Sequence, residues 1–141
     1  MPKATRPDVH RTRSKPHRRA TAVIELALCL PVLFVLVLAT MEACSMLYLQ
    51  QKLKVTAYEG ARVAIVPTAK IENVVHQCET LLDATNVQSY SISLSPSDPT
   101  TLNDGDYVTV TVSAPFSDNS LAGGWLYANK ILSRSVPLHA E

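Results

Sequence analysis

An uncharged run in the first third of the chain limits its fold more than any other feature of the sequence. From Leu26 to Met41 there is no Asp, Glu, Lys or Arg, and back to Ala20 the only charged residue is Glu25. A membrane-spanning helix needs about 20 mostly apolar residues. The sequence therefore predicts a transmembrane helix over residues 20–44.

A cleaved secretory signal is the alternative interpretation of this run. Such a signal has a shorter apolar core that is followed by a small-x-small cleavage site. Here the helical pattern continues past Glu42, and Thr40 with Ala43 provides only a weak site. We expect the segment to stay in the protein as a membrane anchor.

A basic stretch precedes the anchor. Residues 1–19 hold seven basic residues and one acidic residue, a net charge of +6, together with three prolines. Such a segment cannot form a core, so we expect a disordered leader. Basic tracts can bind nucleic acid, but a tract directly before an apolar run is typical of the cytoplasmic flank of a membrane helix. The sequence therefore predicts a cytoplasmic leader and no nucleic-acid partner.

Beyond the anchor the pattern predicts a small α+β domain, residues 45–141, that begins with the continuation of the long helix. That helix should run from about residue 21 to 66, with a kink at Pro31 and its end before Pro67. A second, amphipathic helix and a short antiparallel sheet should follow. The predicted later elements are a helix over 69–84, strands over 87–95 and 106–114, a short helix over 122–132 and a last strand over 133–139.

No residue pattern indicates catalysis, a cofactor or a metal site. The cysteines have no CxxC spacing, only one lies clear of the apolar segment, and the histidines are scattered, so we expect no enzyme and no small-molecule substrate. The acidic residues of the last third do not have EF-hand spacing. These groups are Cys29, Cys44 and Cys78; His10, His17, His76 and His139; and Asp98, Asp104, Asp106 and Asp118.

Glu25 is the most informative single residue. A carboxylate in a membrane helix costs about 2.5–3.5 kcal/mol at the centre and less near an end, so it is either interfacial or paired with a cation. The segment Arg18–Glu25 before an apolar run resembles the N-terminus of type IV-class prepilins. The resemblance implies cleavage by a prepilin peptidase between Ala20 and Thr21, which makes Glu25 the fifth mature residue. Ala20 stands where such chains usually have glycine.

Further motifs along the first half of the chain resemble the TadE-like family, whose members are pseudopilins or minor pilins of the tight-adherence (Flp) pilus machinery. The resemblance extends over about residues 18–66. The motifs are Ala22-Val23-Ile24-Glu25-Leu26-Ala27-Leu28, Leu30-Pro31-Val32-Leu33, Met41-Glu42, Leu47-Tyr48-Leu49-Gln50-Gln51 and Tyr58-Glu59-Gly60-Ala61-Arg62.

The resemblance implies a structural role in the bacterial inner membrane, with the N-terminus cytoplasmic and the C-terminal domain periplasmic. The implied partners are a prepilin peptidase, pilin and other tight-adherence subunits, and Glu25 is the implied assembly residue. Two other interpretations remain open at this point. The chain could be a permanently anchored envelope binding protein unrelated to pili, or an assembly factor that never leaves the membrane.

Overall fold

The computed structural model describes residues 17–67, 69–98, 100, 105–121, 123–124 and 127–140, with side chains from Thr21 onward. Its elements confirm the α+β class, with a long apolar helix, a second helix and an antiparallel sheet. They are α1 (His17–Ala64), α2 (Ile71–Ala84), β1 (Ser91–Ser95), β2 (Tyr107–Pro115), a 3-10 turn (Ser117–Asn119) and β3 (Ile131–His139).

Helix α1 begins at His17, so the last three residues of the predicted leader are helical, and residues 1–16 of that leader lie outside the described residues. The helix continues through Pro31, where the kink remains a prediction. It ends at Ala64, two residues before the predicted end. Helical geometry is disfavoured for the residue before a proline, and Ile65–Pro67 accordingly form a turn.

The chain divides into two compact units between Leu36 and Val37. In the first, the described side chains are all exposed. In the second, the outer part of α1 contributes a buried stripe to one hydrophobic core with α2 and the sheet. That stripe consists of Leu49, Leu53, Ala57, Ala61 and Ala64, whose spacing keeps them on one helical face.

The sheet has the order β1-β2-β3, and both pairings are antiparallel. Strand β2 confirms the predicted alternation, because Val108, Val110 and Val112 are fully buried while the Thr and Ser residues between them are partly exposed. Helix α2 presents Val74, Cys78 and Leu82 to the same core. The predicted amphipathic helix is therefore confirmed, two residues shorter at its start.

The predicted strand over 87–95 was too long, because β1 contains only Ser91–Ser95. Asn86 and Ser89 have φ angles of 57° and 55°, left-handed values that are incompatible with a strand. Alternation along a strand over 87–95 would put Val87 on the same face as Ser89, Ser91 and Ser93. Instead Val87 is buried, and its N–H donates to the Leu82 carbonyl 2.9 Å away.

The predicted short helix over 122–132 was also wrong at its end, because Ile131 and Leu132 begin β3. Tyr127–Asn129 form a turn, and the Lys130 N–H donates to the Tyr127 carbonyl at 3.1 Å. Residues 122 and 125–126 lie outside the described part of the chain. Strand β3 therefore starts two residues earlier than predicted.

Candidate membrane and assembly surface of helix α1

The first half of α1 exposes almost every side chain it has. Within the helix, Thr21–Ala64 is long and apolar enough to cross a membrane, and none of its most apolar stretch is buried. A core helix of a soluble protein would be mostly buried. Burial of apolar surface is worth about 25 cal/mol per Å², so this surface needs lipid or another protein around it. Its composition and exposure indicate a single-pass membrane anchor.

The predicted processing residues and Glu25 lie close together in the first turns of α1. Ala20 and Thr21 are both helical, and the side chains of Thr21 and Glu25 are exposed. Residues four apart lie on the same helical face, so Thr21 and Glu25 share a face one turn apart. The bond that we expect to be cleaved is therefore about 7 Å along the helix axis from the Glu25 backbone.

Glu25 has no other charge nearby on its own membrane segment, since Leu26 to Met41 is uncharged. A carboxylate of this kind can either reach the polar interface or accept a cationic partner. The structure contains one copy of the chain and tests neither possibility. The assembly role of Glu25 and cleavage at Ala20–Thr21 stay predictions.

Glu42 is the residue whose position the sequence interpretation missed. Its charge predicts a position on a polar face of α1, but it is 0% exposed. Glu42 lies seven residues before Leu49 and eleven before Leu53, which places it in register with the buried stripe. This register could have predicted the burial of Glu42 from the sequence, but the charge of the side chain argued for exposure. Every described buried side-chain nitrogen or oxygen has a hydrogen-bond partner.

Gly60 allows α1 to approach α2 closely. A Cβ atom added at Gly60 would overlap the Sγ atom of Cys78 and would lie 3.4 Å from Val110 Cγ1. The site therefore requires a residue without a side chain. Cys78 is fully buried, and burial raises the pKa of its thiol to about 11, with a smaller contribution from the carboxylate of Glu79.

The remaining candidate residues take local structural roles. Asp98 accepts hydrogen bonds from the Thr100 hydroxyl (2.7 Å) and N–H (2.9 Å), which lower the pKa of its carboxyl. Hydrogen bonds from the hydroxyls of Ser89 and Ser117 lower the pKa of Asp118. His76 is exposed, as expected. Among the described residues no three His, Cys, Asp or Glu side chains form a group that could hold a metal, and Asp104 lies outside them.

Residues 20–62 match the family model described as TadE-like protein. The match begins at the predicted cleavage site, contains Glu25, Glu42 and Gly60, and ends two residues before the end of α1. No curated protein and no solved structure matches the chain. The match confirms the resemblance found in the sequence, and it lies entirely on α1. Through that helix the chain is similar to TadE-like proteins, a family that implies association with tight-adherence pili.

Proposed function

We propose that this chain is a pseudopilin or minor pilin, a structural component of the Flp (type IVb-like) pilus machinery. The observation that carries the proposal is the conjunction, inside the matched segment, of an exposed apolar helix with a single carboxylate at Glu25. A soluble binding protein needs neither feature. Under this proposal the chain has no catalytic activity, no cofactor and no small-molecule substrate.

The anchor would cross the bacterial inner membrane with its N-terminus in the cytoplasm. The charges support this orientation, because the residues before Ala20 carry a net charge of +6 and basic residues are retained on the cytoplasmic side. The domain built on the outer part of α1 would then be periplasmic. There it can contact other tight-adherence subunits, and the processed protein can enter the filament.

Processing would convert the anchor into an assembly element. Cleavage by a prepilin peptidase between Ala20 and Thr21 removes the basic leader and creates an α-amino group, whose ordinary pKa is about 7.7–8.0. A neighbouring subunit can then place this cation beside Glu25. Pairing offsets the cost of holding this carboxylate in lipid, which is about 2.5–3.5 kcal/mol at the centre of a membrane helix and lower at Glu25, near the end of the anchor. Subunit association is then favoured over isolation in lipid.

Removal of this gene from a cell that carries the tight-adherence machinery tests the proposed function. We expect loss of surface pili and of adherence, and full recovery when the gene is supplied on a plasmid. Pilin levels should be unchanged, because the defect lies in assembly. Normal pili and adherence in the deletion strain would instead favour a permanently anchored envelope protein unrelated to pili.

A further inference from the structure

An apolar groove lies beside α1 just after the uncharged run ends. Its volume is about 380 Å³. It lies wholly within the unit that begins at Val37. The residues that line it are Thr40, Met41, Cys44, Ser45, Tyr48 and Leu121.

Leu121 is the unusual member of this group. Its side chain is 84% exposed, more than that of Leu28 in the candidate membrane span, which is 70% exposed. Tyr48 (62%) and Met41 (49%) are exposed beside it. Single exposed apolar residues are common on protein surfaces. A cluster of them next to a membrane segment indicates a partner that is itself apolar.

The surface of α1 on this side carries no charge. Glu42 is the only charged residue between Leu26 and Gln51, and it is 0% exposed in the domain. The uncharged surface thus continues ten residues beyond Met41, about 15 Å along the helix. It ends at Lys52, whose ammonium group lies 4.4 Å from the centre of the Tyr48 ring and donates to the Thr85 carbonyl at 2.6 Å.

Two of the three hydroxyl groups of the groove, those of Thr40 and Ser45, donate to carbonyls of α1 itself. Thr40 Oγ1 donates to the Val37 carbonyl at 2.8 Å, and Ser45 Oγ donates to the Met41 carbonyl at 2.9 Å. Bonds of this type let Ser and Thr sit in an apolar medium without unsatisfied donors. The hydroxyls of Thr40 and Ser45 are therefore compatible with an apolar medium.

A second, more polar groove adjoins the first and marks the boundary between the uncharged and the charged surface. It has a volume of about 300 Å³ and shares Ser45, Tyr48 and Leu121 with the apolar groove, but it also contains Lys52 and Asp118. Tyr48 and Leu121 thus lie where an uncharged surface meets a charged one. Aromatic residues and lysines with apolar stems are enriched at that level of membrane proteins.

We propose that the loop that carries Leu121, together with Tyr48, contacts the lipid bilayer at its outer headgroup region. Lipid is the favoured occupant because Thr40 and Met41, which line the groove, belong to the run that predicts the membrane anchor. The inference rests on the membrane anchor of the proposed function. The contact fixes how far the domain stands from the membrane before assembly.

Fluorescence of labelled protein in vesicles tests this contact. Cys29 and Cys44 are replaced by Ala, buried Cys78 is kept, and one new cysteine is added by Leu121→Cys. The matched control is Tyr107→Cys, at a position that is 66% exposed. Tyr107 begins β2, and Pro115 ends it, six residues before Leu121. The two ends of the strand are about 27 Å apart at 3.4 Å per residue. A third variant, Leu33→Cys, reports on the anchor itself. The full chain carries a polarity-sensitive dye in phosphatidylcholine–phosphatidylglycerol vesicles.

We expect brominated lipids to quench the dye at position 121 at least threefold more than at position 107, and aqueous iodide to show the reverse order. Equal quenching at 121 and 107, with strong lipid quenching at 33, would overturn this contact and leave the anchor intact. Absence of lipid quenching at 33 would overturn both. A signal at 121 that appears only at high protein-to-lipid ratio would assign the groove to a second copy and overturn the lipid contact.

Discussion

Glu25 carries the only charge of α1 between Thr21 and Met41. We predict that Glu25→Gln leaves membrane insertion and cleavage normal, since removal of a charge favours insertion, but abolishes co-purification with pilin. Loss of one member of a buried ion pair costs about 3–5 kcal/mol. The measurement is affinity purification of the tagged protein from cells with the pilus machinery.

Glu59→Gln is the matched control for this substitution. Glu59 lies outside the apolar run and contacts Arg62 at 3.9 Å on the surface, a type of pair worth about 0–1 kcal/mol. Its loss should leave pilin capture unchanged. If Glu25→Gln captures pilin as well as the natural protein does, the carboxylate is dispensable and the docking mechanism is wrong.

Gly60 tests the packing of α1 against α2. In an ordinary helix Gly→Ala is stabilising by about 0.8–1 kcal/mol. Here the new Cβ would overlap Cys78 Sγ, so we predict that Gly60→Ala lowers the free energy of unfolding by about 1–3 kcal/mol. Addition of Cys78→Ala should recover part of the loss, because it removes the overlapping atom. Pulse proteolysis in urea measures both, and a stabilising Gly60→Ala would refute the close contact.

The buried thiol of Cys78 predicts a pH dependence of stability. Its pKa is raised from 9.0 to about 11 in the fold, so the folded protein holds this proton more tightly than the unfolded chain. The contribution is complete below pH 9 and is lost between pH 9 and 11, an expected fall of about 2–3 kcal/mol. Cys78→Ala should remove that part of the slope, and parallel pH curves for the two proteins would contradict the prediction.

At the scale of elements, the start of α1 is where processing should occur. We predict that N-terminal sequencing of the membrane-extracted protein gives Thr21 as the first residue in cells with a prepilin peptidase. Cells without the peptidase should retain the leader. An uncleaved chain in peptidase-positive cells would rule out processing, and a start near residue 44 would instead indicate a secretory signal.

The elements that the sequence predicted best are those with the strongest periodicity. The alternation of Val108, Val110 and Val112 predicted both ends of β2 to within one residue, because each of these valines is buried in the strand. The apolar spacing predicted α2 as an amphipathic helix, and Val74, Cys78 and Leu82 form its buried face, although Ile71 at its start is exposed. Regular apolar spacing over many residues arises when one face of an element is buried, so these elements could be predicted from the sequence alone.

Elements were missed where backbone or tertiary effects override that pattern. The left-handed φ of Asn86 and Ser89 shortens β1, and neither residue type reveals this by itself. Glu42 was assigned to a polar face because it is charged, although its register placed it in the buried stripe. The assembly role of Glu25 stays a prediction, because the proposed partner cation belongs to a second subunit.

At the scale of the whole molecule, the two units of the chain suit two different media. The described part of the first unit is an exposed apolar helix with one carboxylate. The second unit has its own core and continues the uncharged surface as far as Lys52. The matched family segment covers the helix that runs through both. Every functional proposal depends on the domain lying outside the membrane.

Paired reporters fused after Glu141 test this central claim most directly. Alkaline phosphatase is active only when it is exported from the cytoplasm. Green fluorescent protein that is exported with this chain does not fluoresce, so its fluorescence reports a cytoplasmic location. We predict an active phosphatase fusion and a dark fluorescent fusion, because the leader with its +6 charge stays in the cytoplasm. A fluorescent protein fusion that is bright, with an inactive phosphatase, would place the domain in the cytoplasm and contradict the account.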